Sequence, residues 1–187
     1  MGDSAVIPHV IGTVAVIMLF FSLTAYYNGY YGQLNLQGYK AQLGQIGEYY
    51  AANMNDLVTI ASLAEGDVFL VKEIQTATFI GDRIYNVSLI RTTVAGRDQE
   101  SLAVSTRLES LNLFTTTELI WSPELNITIY TNQSVPEAPS DLTPRSFVSS
   151  DAAVARAAQT HKSASIAIWC RKTDGAMILG VGVKSFI

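Results

Sequence analysis

Residues 5–27 read AVIPHVIGTVAVIMLFFSLTAYY, and the fold turns on that stretch. Its length is about the 20 residues that an α-helix needs to cross the hydrocarbon core of a bilayer. No Asp, Glu, Lys or Arg occurs between Asp3 and Lys40, so all 12 basic residues, and every one of the 16 acidic residues except Asp3, lie from Lys40 onward. The chain is two materials in series.

Overall composition reflects that division. The 187 residues are 49% hydrophobic and 15% charged, whereas soluble domains carry charge on about a quarter of their residues. Such a length holds one ordinary domain plus an appendage. A net charge of -4 and a pI near 5.1 argue against nucleic acid as the main partner, since neutralising phosphate takes clustered Lys and Arg. The single cysteine, Cys170, excludes an intramolecular disulfide framework and zinc sites of the CxxC type.

A secretory signal would have a basic n-region, a shorter apolar core and small residues at a cleavage site. Here Met1-Gly2-Asp3-Ser4 carries no positive side chain, and the apolar run closes on Tyr26, Tyr27, Tyr30 and Tyr31. Those tyrosines fit an interfacial belt or, equally, the core of a helical bundle. The sequons at Asn86, Asn126 and Asn132 all lie in the polar portion, which favours an exported domain with those asparagines as candidate N-glycosylation sites.

Apolar residues continue at helical spacing through Leu34, Leu43, Ile46, Tyr50, Met54, Leu57, Ile60 or Ala61, and Ala64. Gln42, Gln45, Glu48, Asn53 and Asp56 occupy the other faces. One helix over residues 6–64 would be about 90 Å long, far more than a bilayer requires, and would need partners along its length. Pro8 fits the first turn, where its missing amide costs nothing. Gly29, Gly32, Gly38, Gly44 and Gly47 either loosen this helix locally or let neighbouring helices approach closely. His9 is read as a ring hydrogen-bonded near the helix end or as a polar contact between subunits.

After Glu65-Gly66-Asp67 the period changes to alternation, with strands expected over 68–74, 83–90, 101–108, 125–130, 165–170 and 177–183. Asp174-Gly175 between the last two marks a hairpin. Residues 135–150, with Pro136, Pro139 and Pro144, are expected to form a surface loop and not central sheet. Residues 151–160 suggest a short helix. The fold class is therefore α+β: one long N-terminal hydrophobic helix over residues 1–65, then an antiparallel β-sandwich head over residues 66–187.

No catalytic constellation emerges. The only histidines are His9 and His161, too few for a histidine metal site or a Ser-His-Asp arrangement. A Cys170–His161 dyad competes with the simpler view that Cys170, beside Trp169 in an apolar strand, is a small buried hydrophobe. Gly180-Val181-Gly182 closes the chain instead of opening a helix, so phosphate binding is unsupported. Asp98 with Glu100 reads as loop charge. No enzyme, cofactor or metal is indicated.

The stretch Ala5-Val6-Ile7-Pro8-His9-Val10-Ile11-Gly12-Thr13, with a very long apolar helix and a β-sandwich head behind it, resembles archaeal type IV pilins and the related archaellins. The resemblance implies a subunit that waits in the membrane and is drawn by an assembly platform into an extracellular, adhesive homopolymer. Its core would be the helices, through Val6, Val10, Val14, Ile17, Leu19, Phe20, Phe21, Leu23, Tyr27, Tyr30, Tyr31 and Leu34. It also implies a leader ending in Lys or Arg followed by Gly or Ala and removed by a prepilin peptidase. Only Met1-Gly2 precedes Asp3, so a truncated or atypical start and a retained N-terminus are both open. The alternative is similarity to the membrane-anchored accessory proteins of the archaellum motor, in which an uncleaved helix holds an exported β-sandwich as stator or anchor.

Overall fold

The computed structural model describes residues 6–93, 100–119, 125–131, 138–160 and 163–186. A single helix, α1 (Val6–Leu63), opens the chain. Nine strands follow among the described residues: β1 (Val68–Ile74), β2 (Asn86–Thr93), β3 (Glu100–Leu108), β4 (Leu113–Glu118), β5 (Ile127–Ile129), β6 (Leu142–Arg145), β7 (Phe147–Ser149), β8 (Ala164–Thr173) and β9 (Ala176–Ser185). A second helix, α2 (Ala152–Thr160), precedes β8, as residues 151–160 suggest. The class is α+β, with one long N-terminal helix and two sheets in a roughly sandwich-like head.

The chain divides into two compact units, Met1–Tyr39 and Lys40–Ile187. In the second, one sheet runs β1-β8-β9-β5 with β6 also on β9, and the other runs β4-β3-β2-β7. The β8–β9 hairpin is the centre of the first sheet and pairs over its whole length, from Ala164↔Ser185 to Thr173↔Ala176. Its turn is the expected one: Asp174 and Gly175 have φ of 49° and 79°, the left-handed pair that a two-residue hairpin requires.

Alternation sorts the side chains of this hairpin. Ile166, Ile168 and Cys170 stand on one face with Met177, Leu179, Val181 and Val183, all buried. On the other face lies Trp169, also buried, with its Nε1–H donated to the Val181 carbonyl at 3.1 Å. Its ring stacks on Phe69 at 5.5 Å and meets Tyr130 edge-on at 5.3 Å. Glycine is required beneath it: a Cβ on Gly180 would lie 2.3 Å from the indole, and one on Gly182 2.7 Å from the Thr143 carbonyl oxygen of β6. The Gly180-Val181-Gly182 run is thus a floor for an indole and for a neighbouring strand.

Residues 40–63 of α1 belong to this second unit and touch both sheets. Leu43, Gly47, Tyr50, Ala51, Met54, Leu57, Val58 and Ala61 are buried, the three-and-four spacing of a helix with one apolar face. Two contacts reach the second sheet. The buried Thr106 hydroxyl donates to the Leu43 carbonyl at 3.0 Å, and Gly47 comes so close that a Cβ there would lie 2.8 Å from Thr117 Oγ1. Two others reach the first sheet: Lys72 pairs with Asp56 at 3.3 Å, and Lys172 Nζ donates to the Ala64 carbonyl at 2.7 Å. The latter cation satisfies a carbonyl that the helix end leaves without an amide. Gly66, at φ 80°, turns the chain from helix to β1.

Several expectations are corrected. Asn53 is buried, not on an outer face; its amide donates to the Tyr49 carbonyl at 2.6 Å, which lets it pass through the packed side. Ile60 is exposed and Ala61 takes the inward position. Residues 135–150 are not simply loop: β6 and β7 lie there, and Pro144 sits in register with Gly182. The proline, which has no N–H to donate, is tolerated because β6 pairs only with β9 and no second strand calls for that amide. Strand β2 starts at Asn86 and not at residue 83, because Ile80 and Arg83 close a turn of their own. One pairing, β5 on β9, is parallel.

Two predictions follow from this packing. Gly180→Ala is expected to cost about 1–3 kcal/mol in chemical denaturation because the added methyl meets the indole, and Trp169→Phe in the same chain to recover part of the loss. Burial pushes the phenols of Tyr50 and Tyr85 above their ordinary value of 10.0. The folded chain therefore keeps protons that the unfolded chain releases, so their contribution is intact below about pH 10 and declines above it. The buried Tyr50 hydroxyl has no well-aligned hydrogen-bond partner among the described residues, although Thr76 is near enough to oppose part of the shift. Tyr50→Phe should leave stability at neutral pH unchanged or higher and lessen the alkaline decline, read from denaturation curves at the two pH values.

Candidate functional site: the uncharged helical segment

The first compact unit contains the uncharged part of α1. Every described side chain from His9 to Gly38 is exposed. Val10, Val14, Ile17, Leu19, Phe20, Phe21, Leu23, Tyr27, Tyr30, Tyr31 and Leu34 all stand on this surface. Val6 lies in the first helical turn, and its side chain is outside the described set. Ile11, Val16 and Met18 are exposed too, at 63%, 66% and 66%, so the apolar surface is a full sleeve and not a stripe. Periodicity within this segment has little to reveal, since each face is alike.

The polar atoms divide the sleeve. Before Ala25 the hydroxyls satisfy themselves within the helix: Thr13 donates to the His9 carbonyl at 2.9 Å, Ser22 to that of Met18 at 2.8 Å and Thr24 to that of Phe20 at 2.9 Å. Bonds of this kind leave no side-chain donor orphaned in hydrocarbon. Beyond Ala25 the character changes. Tyr26 stacks on Tyr30, and Tyr27 on Tyr31, each pair 6.4 Å between centroids. The amides of Asn28, Gln33, Asn35 and Gln37 are exposed, with no internal partner among the described residues. Those amides call for water, headgroups or another chain.

With a mean hydropathy of 2.0 over an 18-residue window and none of that window buried, the helix is long and apolar enough to cross a membrane. Length and composition carry that statement, and a signal sequence has the same profile. Comparison with protein-family models, with curated proteins and with solved structures finds no match.

The remaining candidates are dispersed. Asn126 is exposed at the start of β5. Asn86 is half-buried in β2, where its amide donates to Glu109 Oε1 at 2.9 Å. Asn132 lies outside the described residues, as do Asp98 and His161. Cys170 is buried, and burial pushes its thiol up to about 11, which makes it a poor nucleophile. Among the described residues no three His, Cys, Asp or Glu side chains are grouped to hold a metal ion.

Separating the units tests this division. A chain beginning at Lys40 is expected to be soluble, monomeric and cooperative in thermal unfolding, because it keeps the buried helix face and loses the sleeve. A chain beginning at Gly66 lacks Leu43, Tyr50, Met54 and Leu57 and is expected to aggregate. Size-exclusion chromatography and circular dichroism distinguish the two.

Proposed function

We propose that this protein is the structural subunit of an extracellular type IV pilus-like filament, polymerising through α1 and serving adhesion. Supporting this is one observation above others: the helix stays uncharged to Tyr39 and exposed to Gly38. Residues 6–39 measure about 50 Å, some 20 Å beyond what a bilayer requires. Within that surplus lie the paired tyrosines and the unpartnered amides. A plain membrane anchor has no need of it, whereas helices of neighbouring copies would cover it.

Before assembly, residues 6–25 would sit in the membrane, where all their side-chain hydroxyls are already bonded. In a fibre the same surface would exchange lipid for other helices, with the glycines admitting close approach. Against water, every 100 Å2 of sleeve covered would be worth about 2.5 kcal/mol. Partners under this proposal are other copies, an assembly platform and, for maturation, a prepilin peptidase; Asn126, exposed, is the best placed of the described sequons for a glycan.

The stator-like anchor of the archaellum motor is the alternative, and residues 6–25 alone would serve it. Two substitutions separate them. Val14→Asp is expected to abolish fibres sheared from cells while leaving the head folded. Tyr31→Lys lies beyond the span, so it is expected to leave membrane insertion intact and still abolish fibres. Fibres of this chain that persist with Tyr31→Lys would take residues 26–39 out of the filament core, whereas a chain found wholly in the membrane fraction, with no fibres sheared from cells, would favour the anchor.

A further inference from the structure

A cleft of about 460 Å3 opens between residues 42–49 of α1 and the segment 75–80 that follows β1. Its lining is unusual in chemistry for so acidic a chain. Gln42, Gln45 and Gln75 present three carboxamides, Tyr49 and Phe79 present aromatic rings, and no charged side chain lines it among the described residues. All five are exposed, Tyr49 at 45% and Phe79 at 54%. None of the three amides has an internal hydrogen-bond partner among the described residues. The donors and acceptors are thus set beside apolar rings and left unused.

Phe79 is also held in place. Ile80 and Arg83 exchange backbone hydrogen bonds of 2.9 and 3.1 Å around Gly81 and Asp82, whose φ angles are 51° and 62°. That tight turn buries Ile80 at 2% and leaves its neighbour outside. Upstream, the Tyr85 hydroxyl lies 2.8 Å from Thr76 Oγ1 and donates to the Ala77 carbonyl at 2.7 Å, which pins the strap that carries Phe79. A lone exposed ring is ordinary on a protein surface; what sets Phe79 apart is its place at a cleft lined by three unused carboxamides. Phe79 also lines a second cleft of about 680 Å3, where Asp82, Arg83, Asn86 and Glu109 supply charged and amide groups. One ring is therefore shared between an uncharged cleft and a polar one.

We infer that these adjoining clefts bind a neutral saccharide, with a pyranose face laid on Phe79, which lines both, and its hydroxyls bonded by Gln42, Gln45 and Gln75. Sugars present an apolar C–H face and a rim of hydroxyls that both donate and accept. Aromatic rings beside carboxamides match the two, because an amide also donates and accepts, and pockets of this size hold ligands of one to three rings. An acidic or phosphorylated ligand would find no cation in the first cleft. The inference goes beyond the filament and does not depend on it, since an anchored head would carry the same clefts.

The test uses the full chain made in the bacterial cytoplasm, so that Asn86 carries no glycan to occupy the second cleft, and solubilised in lauryldimethylamine oxide, which has no sugar headgroup. Saturation-transfer NMR is run with cellobiose, mannobiose and N-acetyllactosamine at millimolar concentration. Transfer to ring C–H protons of at least one disaccharide is expected. Phe79→Ala and Gln45→Ala should each weaken it, the former by about tenfold for loss of the stacking face, with the circular dichroism spectrum unchanged. No transfer from any of the three, or transfer equal in Phe79→Ala, overturns the assignment. Because the measurement is made on unpolymerised chain, neither result bears on fibre formation.

Discussion

The structure depends on one helix keeping its backbone bonded while its side chains meet two kinds of surroundings. From His9 to Gly38 every face is uncharged and exposed; from Leu43 one face is buried and the other carries Glu48 and Asp56. Backbone hydrogen bonding is indifferent to this change, so α1 runs unbroken from Val6 to Leu63. Side chains alone mark it. The first charge after Asp3 is Lys40, and the second compact unit begins at that residue.

What fixes the helix within the second unit is a set of contacts to both sheets. Thr106 and Thr117 meet it near Leu43 and Gly47, and Lys72 and Lys172 near Asp56 and Ala64. Removing the helix would expose the buried face and free the Lys172 ammonium from its carbonyls. The exposed Lys72–Asp56 pair contributes little energy by itself. The close approach at Gly47 and the buried Thr106 hydroxyl matter more, since each leaves a clash or an unsatisfied group when altered.

Much of this was legible in the sequence, and where it was not there are physical reasons. The sleeve is a linear segment, so its lack of charge could be read directly, as could the Asp174-Gly175 turn and the switch from helical to alternating period at Gly66. Strand β4, LFTTTE, escaped because its polarity is inverted: Phe114 points to solvent at 63% exposure while Thr115 and Thr117 are half-buried. Strand β6 escaped behind Pro144, whose place at an edge only the pairing reveals. Asn53 looked like a surface residue because sequence does not show a side chain bonding back to its own helix. The clefts around Phe79 were invisible, since Gln45 and Gln75 are brought together by a turn and not by spacing.

The lateral attachment of α1 has a mechanical consequence. Tension applied along the helix enters the head not at one terminus but through contacts distributed from Leu43 to Ala64, into β3 and β4 at one end and β1 and β8 at the other. Load shared in this way strains many bonds together, as in a lap joint, instead of peeling them one after another. The two sheets would bear it jointly, with the β8–β9 hairpin, whose ten register pairs form the longest ladder among the described residues, stiffening the side that holds Lys172.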